Sequence, residues 1–145
     1  MSTPDCSIVI RAYNEEMHLG QLLSGIERQV GIRAETILVD SGSTDRTVEI
    51  ASQFPVSVLS IPPSEFTFGR SLNLGCSQAS GEFIVVASAH VYPVYPDWLQ
   101  RLLEPFQDRR VALTYGKQRG SRSARLLSAI AWALIAWPSA QTAKY

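Results

Sequence analysis

Short apolar runs recur along this sequence, and each one ends in a polar turn that leads into a helical pattern. Residues 7–10 (SIVI) are followed by leucines at three- and four-residue steps, which is the stripe of an amphipathic helix. Strands that alternate with helices predict βαβ units and a mostly parallel sheet covered on both faces. We therefore expect a three-layer α/β/α fold. Its expected strands are residues 7–10, 36–39, 56–61, 83–87 and 111–115, and its expected helices are residues 19–30, 47–54, 69–80 and 96–106.

The size and charge of the chain exclude several classes of protein. Its 145 residues suit one domain, and its 13 basic and 13 acidic side chains cancel. The chain thus has no general attraction for nucleic acid or acidic lipid. No basic residues precede the first apolar run, and Cys6 and Cys76 lack the spacing of a disulfide framework. We expect a cytoplasmic protein without a nucleic-acid partner.

The composition changes near the carboxyl end. Residues 116–125 are basic, and the chain is then almost wholly apolar from Leu126 to Trp137. A helix over that apolar stretch would be roughly 18 Å long, too short for a hydrocarbon core of about 30 Å. It fits a buried helix that lacks its partner, and hence a homo-oligomer, or an interfacial helix in peripheral contact with the inner membrane surface. We therefore divide the chain into residues 1–119 and a basic, then apolar, helical tail at 120–145.

Polar groups concentrate in three loops that follow strands, namely residues 11–16, 40–45 and 88–93. In an open α/β sheet, ligands bind outside the carboxyl ends of the strands, so these loops are the candidate binding site. The chain has no G-x-G-x-x-G after its first strand and no G-x-x-x-x-G-K-[ST]. These absences argue against a dinucleotide dehydrogenase and a P-loop ATPase.

Several segments resemble the inverting glycosyltransferases of family 2, which have the GT-A fold, a Rossmann-like nucleotide-diphosphosugar transferase fold. Residues 10–16 (IRAYNEE) and 38–47 (LVDSGSTDRT) look like the two opening motifs, and residues 68–75 (FGRSLNLG), 81–83 (GEF) and 96–99 (PDWL) match later ones. The resemblance covers residues 5–119. It implies transfer of a sugar, with inversion, from a UDP-, dTDP- or GDP-sugar to a saccharide or lipid-linked acceptor during polysaccharide biosynthesis.

The resemblance also implies how the nucleotide is held. The residue that matches Asp40 contacts the nucleobase in the family; the alternative is a turn or capping role for this aspartate. Ala12 and Tyr13 would suit a flat pyrimidine. Glu15 would reach the ribose or favour a helix amino terminus, and both readings stay open.

Arg70 and Asn73 fall on one face of the helix expected at residues 69–80, for which Gly81 is the expected stop. An arginine in a first helical turn can hold a diphosphate or a base through its planar fork. We therefore assign both residues to nucleotide binding; the alternative for Arg70 is a solvent-facing salt bridge. Asp45 is explained by its place in a first helical turn, and we assign it no binding role.

Ser88, Ala89 and His90 stand where the family has an Asp-x-Asp motif, whose carboxylates hold Mg²⁺ or Mn²⁺ against the diphosphate. Hard divalent cations prefer oxygen ligands, and a hydroxyl with a neutral imidazole offers no negative charge. Three readings stay open. His90 ligates a softer ion such as Mn²⁺, a protonated His90 replaces the metal, or the site is inactive.

An inverting transferase needs a general base to deprotonate its acceptor. In the family this carboxylate comes from a later acidic motif, and the present sequence has no Asp or Glu after Val111. The catalytic base is therefore unassigned, and we do not expect this chain to catalyse transfer by itself. Either it is a donor-binding fragment or the protein is naturally shortened. The rival function is a non-catalytic nucleotide-binding or assembly module.

Overall fold

The computed structural model describes residues 3–116 and 135–139, which form one six-stranded sheet with helices on both faces. The strands are β1 (Cys6–Ala12), β2 (Ala34–Asp40), β3 (Val56–Ser60), β4 (Phe83–Ser88), β5 (Thr114–Tyr115) and β6 (Ile135–Pro138). Their order is β3-β2-β1-β4-β6-β5, and the first four are mutually parallel. The predicted mostly parallel α/β sheet is confirmed.

Four helices connect these strands. They are α1 (Leu19–Glu27), α2 (Thr47–Ala51), α3 (Phe68–Ser77) and α4 (Trp98–Leu103), with 3₁₀ turns at Pro63–Glu65 and Glu104–Gln107. Each lies within or next to a segment expected to be helical. Helix α4 is shorter than expected because Pro105 lies just past its end, where the chain tightens into the second 3₁₀ turn.

The alternating side chains of β1 divide the core into two parts. Ile8 and Ile10 are fully buried in the larger cluster, which also contains the apolar stripe of α1. Val9 points to the opposite face and packs in the smaller cluster beneath α3. A strand buried on both faces explains why residues 7–10 read as a continuous apolar run.

The prediction of a helix from Leu126 to Trp137 is wrong at its carboxyl end. Residues 126–134 lie outside the described part of the chain, but Ile135–Pro138 is a strand that pairs antiparallel with β4. Ala136 is fully buried, and Trp137 packs against the smaller core cluster. These residues cover the edge of β4 and pair with its backbone N–H and C=O groups, which a helix in their place would leave without strand partners. The division at residue 119 and the contacts proposed for the tail stay predictions.

No helix among the residues that the structure describes is long and apolar enough to cross a membrane.

A hydrogen-bond network ties β1 and β2 to the turn that precedes β4. The fully buried Ser7 hydroxyl donates to Glu35 and accepts from the backbone N–H of Gly81 at 2.8 Å. Glu35 Oε1 also accepts from the backbone N–H and hydroxyl of Ser80, at 2.6 and 2.9 Å. Burial raises the pKa of Glu35, but these hydrogen bonds outweigh it and the pKa is lowered from 4.5. Glu35 is therefore charged in the folded protein at neutral pH.

We expect Glu35→Gln to lower the free energy of unfolding at pH 7 by about 1 kcal/mol, since it replaces hydrogen bonds to a charged acceptor with neutral ones. Because folding lowers the pKa of Glu35, its contribution is fully present above the ordinary value of 4.5 and is lost as the pH falls through the folded-state value. Urea titrations at several pH values between 7 and 3 check this. The difference between the two proteins should shrink with falling pH, whereas Glu27→Gln, at an exposed glutamate, should differ little throughout.

Candidate functional site

Asn14 joins the loops that follow β1 and β2 through hydrogen bonds. Its backbone N–H donates to Ser43 Oγ at 2.9 Å, and its side-chain Oδ1 accepts from the N–H of Thr44 at 2.8 Å. The backbone of Asn14 has a φ of 54°, a left-handed conformation that asparagine tolerates better than most residues. The next N–H, that of Glu15, donates to Thr47 Oγ1 at 2.7 Å. These bonds fix the loop that carries Tyr13 and Glu15.

Asp45 joins the same two loops and lies two residues before the start of helix α2. Its carboxylate accepts from the N–H and hydroxyl of Thr47 and, at 3.1 Å, from the N–H of Glu16. In return, Glu16 accepts from the N–H of Arg46 at 3.1 Å. Burial raises the pKa of Asp45, but the hydrogen bonds from Thr47 and Glu16 outweigh it and the pKa is lowered. These contacts give Asp45 a structural role, but it lies before α2 and not in the first helical turn where it was expected.

A cavity of about 420 Å³ opens at the carboxyl ends of β1 and β4. Strand order reverses between these neighbours, because β2 and β3 lie on one side of β1 and β4 lies on the other. This is the position at which open α/β sheets bind their ligands. The walls come from residues 11–13, Glu15, Ser41 and residues 87–90, and an apolar side comes from Pro63, Phe66 and Phe68.

Ala12, Tyr13 and Glu15 lie together in this wall, as the loop pattern predicted, and Asp40 lies behind it. Asp40 is buried, with 4% of its surface exposed, and does not line the cavity. Its Oδ2 accepts from the N–H groups of Gly42 and Ser43, both at 3.1 Å. Asp40 therefore stabilises the turn, which was the alternative considered for it. Its contact with a nucleobase stays a prediction.

Ser88 and His90 also line the cavity, and His90 meets Glu15 across it. His90 Nδ1 lies 3.0 Å from Glu15 Oε2, and the glutamate side chain is only 13% exposed. His18 packs edge-on against His90 with ring centroids 5.4 Å apart, and its Nδ1 is hydrogen-bonded to the hydroxyl of Tyr92. His18 thus lies outside the cavity lining but packs against the His90 ring.

The donor atoms near Ser88 fit a hard divalent cation poorly. Within residues 3–116 and 135–139, no group of three or more His, Cys, Asp or Glu side chains could hold a metal ion. Of the described residues that line the cavity, Glu15 is the one carboxylate, and it already contacts His90. Magnesium takes near-octahedral oxygen ligands, commonly through one or two carboxylates. The side chains here offer a hydroxyl, an imidazole and that one paired carboxylate.

Arg11 belongs to the predicted binding loop of residues 11–16 and lines the cavity, although no binding role was assigned to it from the sequence. It lies in β1 opposite Ser88 of β4, and its guanidinium carbon is 4.4 Å from the centroid of the Phe68 ring. Burial lowers the pKa of Arg11, which remains charged at neutral pH. The available signal was a charged residue at the end of an otherwise apolar strand.

Arg70 and Asn73 do not line the cavity. Arg70 Nη2 lies 3.7 Å from Glu65 Oε2 on the surface, which matches the salt bridge held open as its alternative. The backbone N–H of Arg70 donates to Thr67 Oγ1 at 3.0 Å, and this hydrogen bond caps the amino terminus of α3. Asn73 is exposed on the same helix. The binding roles assigned to both residues stay predictions.

Aromatic side chains flank the cavity opening. Tyr13 is 56% exposed and Phe68 is 67% exposed, while Phe66 packs against Phe68 at a centroid distance of 5.4 Å. Aromatic side chains that are this exposed beside a cavity suit the binding of a flat ring system, because they can stack on it. Phe66 follows the 3₁₀ turn after β3 and Phe68 is the first residue of α3; neither was assigned a binding role from the sequence.

Comparison with known proteins assigns this chain to a family. The model of the family described as "Glycosyl transferase family 2" matches residues 7–139. The O-antigen chain rhamnosyltransferase WbaN of Salmonella anatum is 27% identical over 79% of this chain and 37% of its own length. The dolichol-phosphate mannosyltransferase of Pyrococcus furiosus is 32% identical over 70% of this chain and 30% of its own length. The chain thus spans about a third of the length of these relatives.

Solved structures show the same fold. Glucosyl-3-phosphoglycerate synthase from Mycobacterium tuberculosis, in complex with Mn²⁺, uridine diphosphate and glucosyl-3-phosphoglycerate, matches with a TM-score of 0.74 at 23% identity, over 94% of this chain and 57% of that one. The mannosyltransferase PcManGT from Pyrobaculum calidifontis, in complex with GDP-Man and Mn²⁺, matches with a TM-score of 0.70 at 22% identity, over 78% of this chain and 35% of that one.

Proposed function

The chain belongs to glycosyl transferase family 2, and on that premise we propose that it forms the nucleotide-diphosphosugar-binding part of an inverting glycosyltransferase. Its fold is the GT-A fold, as the sequence motifs predicted. The observation that carries the proposal is the cavity at the carboxyl ends of β1 and β4, which has an aromatic opening and polar groups at its base.

The cavity offers separate surfaces for the parts of such a donor. Tyr13 and the phenylalanines of the opening would cover the nucleobase, with Asp40 and the backbone near Ala12 providing polar contacts. Ser88 and His90 would face the diphosphate, because Ser88 ends β4 beside Arg11 and His90 follows it in the cavity lining. Glu15 fixes the His90 ring through its contact with Nδ1 and leaves Nε2 as the ring's other polar atom.

The proposed reaction is a single displacement at the anomeric carbon of the sugar. The acceptor hydroxyl attacks, the nucleoside diphosphate leaves, and the configuration inverts. A general base must take the acceptor proton, and the sequence has no Asp or Glu after Val111 to supply it from the later position used in the family. We therefore propose that this chain binds the donor and that transfer needs groups it does not itself provide.

The names of the relatives support a saccharide or lipid-linked acceptor. One is an O-antigen chain rhamnosyltransferase, and two others are named for dolichyl or dolichol phosphate. A lipid-linked acceptor would bring this chain to the cytoplasmic side of the inner membrane. Mn²⁺ accompanies the nucleotide in two of the solved neighbours, so a divalent cation is one way in which a diphosphate could be held here.

The replacement of Asp-x-Asp by Ser88-Ala89-His90 favours a second candidate, a nucleotide-binding or assembly module that does not transfer sugar. Both candidates require the donor cavity, and only the first requires turnover. Binding of a nucleotide sugar without release of free sugar or nucleoside diphosphate, even with acceptor extracts present, would favour the module.

We expect isothermal titration calorimetry to show that one of UDP, dTDP or GDP binds with a dissociation constant below about 1 mM. Tyr13→Ala should weaken that binding roughly tenfold, because stacking on an aromatic side chain contributes about 1–3 kcal/mol per base. Tyr115→Ala is the matched control, since this exposed tyrosine lies outside the cavity lining. Failure of all three nucleotides to bind the folded protein would refute the proposal.

A further inference from the structure

Among the described residues that line the cavity, Arg11 is the one arginine or lysine, and Glu15, which contacts His90, is the one carboxylate. The Arg11 side chain is half-buried, and no carboxylate of the described residues lies within ion-pair distance of its guanidinium. By contrast, arginines that do form ion pairs, such as Arg70 and Arg101, lie on the surface with their partners. Removing a cation partly from water without pairing it costs free energy, which an anionic ligand in the cavity would offset.

Arg11 is also held in place before any ligand arrives. Its guanidinium lies over the Phe68 ring, and β1 holds its backbone between β2 and β4. A cation over an aromatic face gains attraction from the ring while its N–H groups at the edge remain able to donate. A planar guanidinium with free N–H groups suits bidentate contact with a phosphate.

The position of Arg11 bears on the metal. In the register of the sheet, Arg11 of β1 lies opposite Ser88 of β4, the place where the family carries its first metal-binding carboxylate. Adjacent strands are about 4.8 Å apart, so both side chains serve the same small region of the cavity. A divalent cation there would be repelled by the guanidinium and would find a hydroxyl in place of a carboxylate.

We propose that this cavity binds the diphosphate of its nucleotide through Arg11, with His90 beside it, and without a divalent cation. The inference rests on the proposed nucleotide-binding function and deepens it. One fixed positive charge on the strand replaces the bridging metal. Uridine, which has the base and ribose but no phosphate, is then bound without help from Arg11.

The test is calorimetry of UDP and uridine on the full chain, in EDTA and in Mn²⁺, with dTDP and GDP as substitutes if one of them binds more tightly. UDP affinity should change less than about threefold between the two conditions. Arg11→Gln should lose roughly tenfold or more in UDP affinity, as for a hydrogen bond to a charged group, and keep its uridine affinity. Arg11→Lys, which keeps the charge without the fork, should lose less.

Arg101→Gln is the matched control, because this arginine also lies near an aromatic ring, that of Tyr95 at 5.7 Å, but is paired with Asp97 and lies outside the cavity lining. It should leave both affinities unchanged. UDP binding that requires Mn²⁺ would overturn the inference and leave the proposed function standing. An equal loss of UDP and uridine affinity in folded Arg11→Gln would also overturn it. Absence of any nucleotide binding would overturn the proposed function itself.

Discussion

Replacing Gly81 with alanine is expected to lower the free energy of unfolding by about 3 kcal/mol, because overpacking next to rigid backbone is among the costlier substitutions. A Cβ at Gly81 would lie 2.5 Å from the carbonyl carbon of Cys6 and 2.6 Å from the backbone nitrogen of Ser7. Both atoms belong to the central strand β1, so neither can move without disturbing its pairing with β2 and β4. The shift would also strain the bond from Gly81 N–H to Ser7 Oγ.

Gly69→Ala is the matched control for this prediction. Gly69 lies in helix α3, and a Cβ there would meet nothing within 4 Å. Alanine favours a helix over glycine by up to about 1 kcal/mol, so this variant should be neutral or slightly more stable. Urea unfolding of the three proteins decides the matter. A Gly81→Ala protein as stable as Gly69→Ala would mean that the contact between this turn and β1 is looser than the structure indicates.

Gly81 also shows where sequence reasoning reached the right residue for the wrong reason. It was expected to end a helix over residues 69–80, but α3 ends at Ser77 and the left-handed φ of a helix-ending glycine is not found at Gly81. Glycine is required at this position because the backbone passes too close to β1 for a Cβ, and this close approach arises only in the tertiary fold. Strands β1, β2 and β4 were predictable because a strand buried on both faces has a local signature, its nearly unbroken apolar run. Strand β6 has no such signature, since Ile135–Pro138 also continues a helical apolar pattern.

The candidate site was predictable in its position and less so in its chemistry. The loops that follow β1 and β4 meet because parallel strands end at one edge, so Tyr13, Ser88 and His90 were placed in one cavity from the sequence alone. The pairing of Glu15 with His90 could not be predicted, because it joins two loops whose side-chain directions depend on the fold. The role of Arg11 could not be assigned for a related reason. A charge at a strand end is usually solvated, and the contact of its guanidinium with Phe68 depends on the fold.

If Arg11 holds the diphosphate in place of a metal, restoring two carboxylates should make binding depend on a metal. In Ser88→Asp/His90→Asp without metal, UDP should bind more weakly than in the parent protein, because the new carboxylates repel the diphosphate and one of them can pair with Arg11. Added Mn²⁺ should then strengthen UDP binding by roughly a hundredfold, since close charge contacts near a surface contribute several kcal/mol before desolvation. Calorimetry in EDTA and in Mn²⁺ measures both effects.

The control Ser88→Asn/His90→Asn has nearly the same shape as the double aspartate variant but adds no charge. It should bind UDP with an affinity that Mn²⁺ changes by less than about threefold, because amide oxygens alone do not offset a divalent cation beside a guanidinium. A response to Mn²⁺ in the aspartate variant but not in the asparagine variant would locate the diphosphate between Arg11 and residues 88–90. If Mn²⁺ has no effect on the aspartate variant, the diphosphate lies elsewhere, and the assignment of Ser88 and His90 to it is wrong.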